Sequence, residues 1–283
     1  MLHINKDVKP VRQRNRPASF HLREGIEKSI QMMIDNDIIE KSEGPTPWVS
    51  QIVPIRKESG EIRICLDAKI INTAIDRQCH SCPTAEEVAI ELNEAKIISK
   101  FDLSNAFNQY ELDSSCRYIT VFYTHLGLYR FKRLCFGINC ATEIFQKVIE
   151  ELISDIKNCC CLCDDILVYG RNQAEHDQAL HALLSRLEEH GLTVNVNKCE
   201  VNRSELDFFG LHFSQEGVRL KQSKIDALML AGPPKDAKEL RSLYGVFNYA
   251  SRYIKGAATL LTPFRELMKR GANFVGLVIT MLR

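Results

Sequence analysis

Cys159-Cys160-Cys161-Leu162-Cys163-Asp164-Asp165-Ile166-Leu167-Val168-Tyr169 sets two adjacent carboxylates in the middle of an otherwise apolar run. A buried, unpaired carboxylate is expensive, so such a pair either sits at an exposed hairpin tip or faces a cation. The run reads as two short strands split by Asp164-Asp165. Upstream, Ile97-Ile98-Ser99-Lys100-Phe101-Asp102 is a second apolar strand ending on an acid. A strand-end Asp beside a hairpin Asp can hold two divalent ions about 3.5–4 Å apart, one activating an attacking hydroxyl and one stabilising a leaving phosphate. Such ions take oxygen ligands and leave sites for phosphate and water.

Working outward, a helix is expected after residue 20, with Leu22, Ile26, Ile30, Met33 and Ile34 on one face. Gly44-Pro45-Thr46-Pro47 breaks the chain. Ser50 to Arg56 and Glu61 to Leu66 are expected as strands joined by a turn at 57–60. Ala85 to Ala95 reads as a helix. Ile119 to Phe122 and Tyr129 to Phe131 read as a strand pair, and Thr142 to Ile156 as an amphipathic helix. Asn172 and Glu175 form a capping-box start for a helix carrying Leu180, Leu183, Leu184 and Leu187, with Gly191 as its stop. Phe208 to Phe213 reads as a strand. Pro233-Pro234 interrupts two later helical stretches. Strands and helices mix without strict alternation, so the fold class is α+β, with a boundary near 215–220.

The 283 residues suggest one large domain or two modest ones, with ordinary globular proportions of 45% hydrophobic and 26% charged. The longest apolar run, Phe274 to Leu282, is about half of what a bilayer span needs, so no membrane role is expected. Eleven cysteines, an odd number with four crowded into 159–163, read as reduced buried thiols in an intracellular protein. The net charge of +1 hides a segregation. Residues 1–23 and 219–283 are basic, whereas 24–218 are acidic. Basic flanks around an acidic centre suit a polyanion held over a metal site, although two solvated basic surfaces would look the same. Cys79-His80-Ser81-Cys82 lacks a second pair at zinc spacing. His176, His181 and His190 need no more than exposed or capping roles. No nucleophile elbow, Walker loop or dinucleotide glycine pattern is present.

The chain resembles the reverse transcriptase of gypsy-like LTR retrotransposons from about Pro10 to Phe274. The landmarks, in family order, are Gly44-Pro45-Thr46-Pro47-Trp48, Lys57 to Arg63, Cys65-Leu66-Asp67 to Asn72, Phe101-Asp102-Leu103 to Gln109, Phe136-Gly137 to Phe145-Gln146, Asp164-Asp165, Asn197-Lys198-Cys199 and Phe208-Phe209-Gly210. The resemblance implies a right-hand polymerase fold: an N-terminal extension and fingers over 1–95, a palm of antiparallel sheet backed by helices over 96–216 with a finger insertion at about 115–140, and a partial, basic helical thumb over 217–283.

It also implies roles. Asp102, Asp164 and Asp165 would be catalytic and metal-binding, with two Mg²⁺ ions or Mn²⁺ as a substitute. Lys57, Arg63, Leu103, Phe107, Gln146 and Lys198 would bind the incoming nucleotide. Lys57 and Arg63 would hold its triphosphate, the Leu103 carbonyl would add a metal contact, and Phe107 would reject a 2′-hydroxyl. Gln146 would lie near nucleotide and template, and Lys198 near the leaving pyrophosphate. Without the resemblance, Lys57, Arg63 and Lys198 read as solvated charges and Phe107 as core. Phe209 and Gly210 would support the primer. The partners would be an RNA or DNA template with its primer, and dNTPs.

Leu162 stands where the family has Tyr, Cys135 where it has Pro, and Lys69 where it has Arg. The family's RNase H and integrase regions are absent here, and Phe274 to Arg283 departs from the pattern where the thumb should continue. The expectation is therefore an RNA-directed DNA polymerase of a retrotransposon, cytoplasmic or in a virus-like particle. The alternative is a truncated or domesticated remnant that binds nucleic acid with little or no polymerase activity.

Overall fold

The computed structural model describes residues 2–57, 60–92, 94–230, 234–251 and 256–268. Residues 58–59 of the expected turn, Pro233 and the divergent end from Phe274 lie outside them. Two compact units emerge, one of residues 1–84, 99–169 and 173–201, the other of 85–98, 170–172 and 202–283.

The elements run α1 (Arg23–Asp35), β1 (Ile39–Lys41), β2 (Ile52–Arg56), β3 (Ile62–Leu66), α2 (Ala85–Glu91), β4 (Ile97–Asp102), β5 (Phe122–Thr124), β6 (Gly127–Phe131), α3 (Ala141–Ile153), β7 (Cys159–Leu162), β8 (Asp165–Gly170), α4 (Gln173–Glu189), β9 (Glu200–Arg203), β10 (Leu206–Phe208), β11 (Leu211–Ser214), β12 (Gly217–Leu220), α5 (Gln222–Leu230), α6 (Ala237–Ala250) and α7 (Ala257–Leu267). They form the sheets β1-β6-β5, β2-β3, β7-β8-β4-β9 and β10-β11-β12. The class is α+β, as expected.

In the first unit, α1 buries Ile26 and Ile30. Gly25 lets this helix close on β3, because a Cβ there would come within 2.7 Å of the Ile62 side chain. Ser29 Oγ then donates to the Ile62 carbonyl at 2.5 Å. Ile34, expected inward, is 37% exposed. The helix α3 buries Ile144, Phe145, Ile149 and Ile153, and α4 buries Leu183 and Leu187. With Ile166 and Val168 of β8 they belong to one continuous core.

Three expected elements differ. The helix from Ala85 ends at Glu91, short of Ala95. The stretch before Phe122 is not a strand but a 3-10 helix over Ser114–Thr120. Asp113 caps it by accepting from the Ser115 amide, a local side-chain bond that competes with strand formation. The expected strand 208–213 breaks at Phe209-Gly210, both at positive φ (48° and 79°), giving the hairpin β10-β11.

In the second unit, β10-β11-β12 is an antiparallel meander followed by the three helices α5, α6 and α7. Asp236 caps α6 by accepting from the amides of Lys238 and Glu239.

Candidate active site

The acidic hairpin forms as the apolar pattern dictates. In the β7-β8 pair Leu162 opposes Asp165, leaving Cys163-Asp164 as a two-residue turn. Cys163 takes φ 56°, a left-handed conformation that a non-glycine residue holds only where its surroundings enforce it. Next to β8 in the sheet runs β4, which ends on Asp102. The Leu103 amide donates to the Asp164 carbonyl at 3.1 Å, so two acids distant in sequence stand at neighbouring strand ends.

The loop after Asp102 is tied down by backbone. The Asn195 amide donates to the Asp102 carbonyl at 2.8 Å and the Ser104 amide to the Thr193 carbonyl at 2.9 Å. Gln109 clamps the same place, donating to the carbonyls of Ser104 and Thr193 and accepting from the Thr193 amide. The sequence assigns Gln109 no role, because Thr193, which it clamps, lies 84 residues away.

The electrostatics follow from that convergence. Burial, then the facing Asp102 carboxylate, push the Asp164 carboxyl above its ordinary value, while Lys198 and Arg63 pull it down. Burial likewise raises Asp165, against the pull of Lys100. Lys198 Nζ donates to Asp102 Oδ2 at 3.3 Å. Lys198 thus lies beside Asp102 while its side chain stays largely exposed.

Arg63 lies over the Phe136 ring, 5.0 Å from its centroid. Phe136 packs against Phe107 at 4.9 Å, and Phe107 against Phe145 at 5.6 Å. Phe107 is half-buried beside the core rather than inside it. Phe136, read from sequence only as a landmark, links the arginine to that aromatic. Lys57 pairs with Glu61 at 3.1 Å, at the end of the β2-β3 hairpin.

Gln146 is wholly buried, and its amide bonds to Glu150, to the Cys161 carbonyl of β7 and to the Cys163 amide of the turn. Leu162 is buried too. Phe209, 46% exposed, and Gly210 lie in the second unit. A Cβ at Gly210 would meet the Lys224 side chain.

Carboxylates at the ends of two adjacent inner strands, cations beside them and an arginine-capped aromatic row make up the candidate site. A model of the reverse transcriptase (RNA-dependent DNA polymerase) family matches residues 55–213, and the chain belongs to that family. It is 29% identical over 249 residues to the uncharacterized protein K02A2.6 of Caenorhabditis elegans, covering 87% of this chain and 19% of that one. It is 26% identical over 263 residues to the transposon Tf2-3 polyprotein of Schizosaccharomyces pombe, covering 92% and 20%. The chain therefore spans about a fifth of the length of these relatives. Among solved structures, a foamy viral protease-reverse transcriptase in complex with double-stranded DNA superposes with a TM-score of 0.81 at 22% identity, over 97% of this chain and 50% of that one. The same viral enzyme in complex with an RNA/DNA hybrid gives 0.78 at 22%, over 99% and 39%. The fold is that of the retroviral polymerase.

Proposed function

We propose that this chain extends a primer 3′-hydroxyl with dNTPs by in-line phosphoryl transfer, as the polymerase region of a retrotransposon polyprotein. The observation that carries it is the backbone bond joining Leu103 to Asp164, which sets the strand end at Asp102 beside the hairpin tip at 164–165.

The donor set fits a hard divalent cation. Among the described residues no group of three or more His, Cys, Asp or Glu side chains is placed to hold a metal ion by itself. What converges instead is strand-end carboxylate, the ligand type Mg²⁺ and Mn²⁺ take, with phosphate and water supplying the rest. Burial first and the Asp102 charge second hold the Asp164 carboxyl above its ordinary value, so a cation there would find negative charge to neutralise. Asp102 and Asp164 would hold the ions, Asp165 and the Leu103 carbonyl supporting them. When bound, the ions lower the pKa of the attacking hydroxyl and neutralise the leaving phosphate. Arg63 offers a forked donor and Lys57 a point charge to a triphosphate. Lys198, already on Asp102, can pass to a leaving pyrophosphate. Phe107, braced by Phe136 and Phe145, would lie beneath the sugar.

Fingers within 1–95, a palm within 96–216 and a thumb from 217 are the division this reading assigns. Phe209 and Gly210 would support the primer. The partners are a template–primer of RNA or DNA and dNTPs, and the setting is intracellular, in the cytoplasm or a virus-like particle. No helix among the described residues is long and apolar enough to cross a membrane.

Primer extension on an RNA template with Mg²⁺ or Mn²⁺, comparing the native chain with Asp164→Asn, tests the reading. Template-dependent incorporation lost in the variant supports it, and equal incorporation by both discards it. Leu162, aliphatic and buried beside the acids, favours a second reading, a remnant that binds nucleic acid without copying it. Salt-sensitive gel shifts without incorporation would select that reading.

A further inference from the structure

Gln146 has no exposed surface, and its amide is fully engaged. Nε2 donates to Glu150 Oε1 at 2.7 Å and to the Cys161 carbonyl at 3.0 Å. Oε1 accepts the Cys163 amide at 2.7 Å. The two ends of a carboxamide differ only in which one donates. The Glu150 Oε1 and the Cys161 carbonyl both accept, so the two together hold the NH₂ of Gln146 on their side. The amide oxygen is then left facing Cys163. The i,i+4 spacing along α3 sets the two side chains on one face for this purpose. Glu150 is held in turn, with Oε2 2.5 Å from His80 Nε2. His80 lies in the segment after β3, which belongs to neither α3 nor the hairpin.

The chain His80, Glu150, Gln146, Cys163 ends one residue before Asp164. Cys163 is the strained residue of the turn, and the bond it gives to Gln146 is what holds that conformation against relaxation. Resting on the polymerase reading, we propose that Glu150, backed by His80, is a positioning residue: it fixes the orientation of the Gln146 amide and thereby the turn that presents Asp164. Neither residue touches the reacting atoms. The sequence gives no sign of the device, because His80 and Glu150 lie 70 residues apart.

The test compares Glu150→Leu, which removes the acceptor, with Glu150→Gln, which keeps an oxygen able to accept from Gln146. Two readouts are taken: hydrogen exchange of the 159–170 hairpin, and kcat against the dNTP KM in primer extension. In Glu150→Leu the hairpin amides should exchange on the order of tenfold faster, with α4 unchanged. The same variant should lose roughly tenfold or more in kcat, a displaced catalytic group being costly, with KM within about twofold. Glu150→Gln should recover most of both. Unchanged hairpin exchange, unchanged kcat, or protection lost evenly across the chain would each overturn the proposal. If the native chain incorporates nothing, the polymerase reading fails by itself. Mn²⁺ affinity, read by electron paramagnetic resonance without nucleotide, then takes the place of kcat: weakening in Glu150→Leu with recovery in Glu150→Gln supports the positioning role, and equal affinity in all three overturns it.

Discussion

The amide of Leu103 donates to the carbonyl of Asp164 across 3.1 Å, fastening the end of β4 to the tip of the β7-β8 hairpin. Each acid's position therefore depends on the other's backbone, and the negative charge of the site is concentrated by the fold itself.

Asp164→Asn should remove metal-dependent incorporation, by on the order of 10³-fold or more, while raising thermal stability. The sign follows from the raised carboxyl. A folded-state value above the unfolded one means the folded chain holds its proton longer. The stabilising contribution is complete below the unfolded value near 3.9 and is lost as pH rises through the folded value. At neutral pH the charged Asp164 thus opposes folding, and the amide relieves it. Activity assays and melting curves at pH 7 check both halves; a lower melting temperature contradicts the account.

Lys198→Met leaves Asp102 without its 3.3 Å partner. Because the Lys198 side chain is 64% exposed, the loss in metal-free protein should stay under about 1 kcal/mol. Added Mg²⁺ should erase that difference in melting temperature, since it supplies the charge the lysine lent.

Gly137→Ala should destabilise strongly. The residue sits at φ 107°, and a Cβ would lie 2.4 Å from the Leu66 carbonyl oxygen. Left-handed strain and a backbone clash together should cost about 3 kcal/mol or more, read by denaturant unfolding. Phe136, which carries Arg63, should lose its place with it.

Ser99→Ala removes the hydroxyl 2.8 Å from His176 Nε2, where both side chains are fully buried. A buried nitrogen left without this partner should cost about 1–3 kcal/mol. Incorporation per folded molecule should not change, which separates this structural pair from the site.

Phe107→Val opens the aromatic row formed with Phe136 and Phe145. Discrimination against ribonucleotides should fall by at least about tenfold, measured as the ratio of kcat/KM values for dNTP and rNTP. An unchanged ratio would leave Phe107 a packing residue only.

Much of the architecture was legible because its signals are local. Two apolar runs around paired acids predict the β7-β8 hairpin, and apolar period along residues 142–156 predicts the helix that forms as α3 over 141–153. The failures were local rules beaten by other local chemistry. Asp113 caps a 3-10 turn where β-branched residues suggested a strand, and Phe209-Gly210 turns at positive φ inside an aromatic run. Gln146 is a different case. Its place on α3 was readable, but its burial against Cys161 and Cys163 depends on how the helix packs on the sheet.

By itself, then, the sequence determined the α+β class, the hairpin that carries Asp164 and the strand that ends on Asp102, since side-chain period and turn chemistry act over a few residues. Only the tertiary structure decided that those acids lie at neighbouring strand ends, that Lys198 lies beside Asp102, and that Gln146 bonds to the turn. Those relations are set by strand order and helix packing between residues far apart along the chain, where no local preference acts.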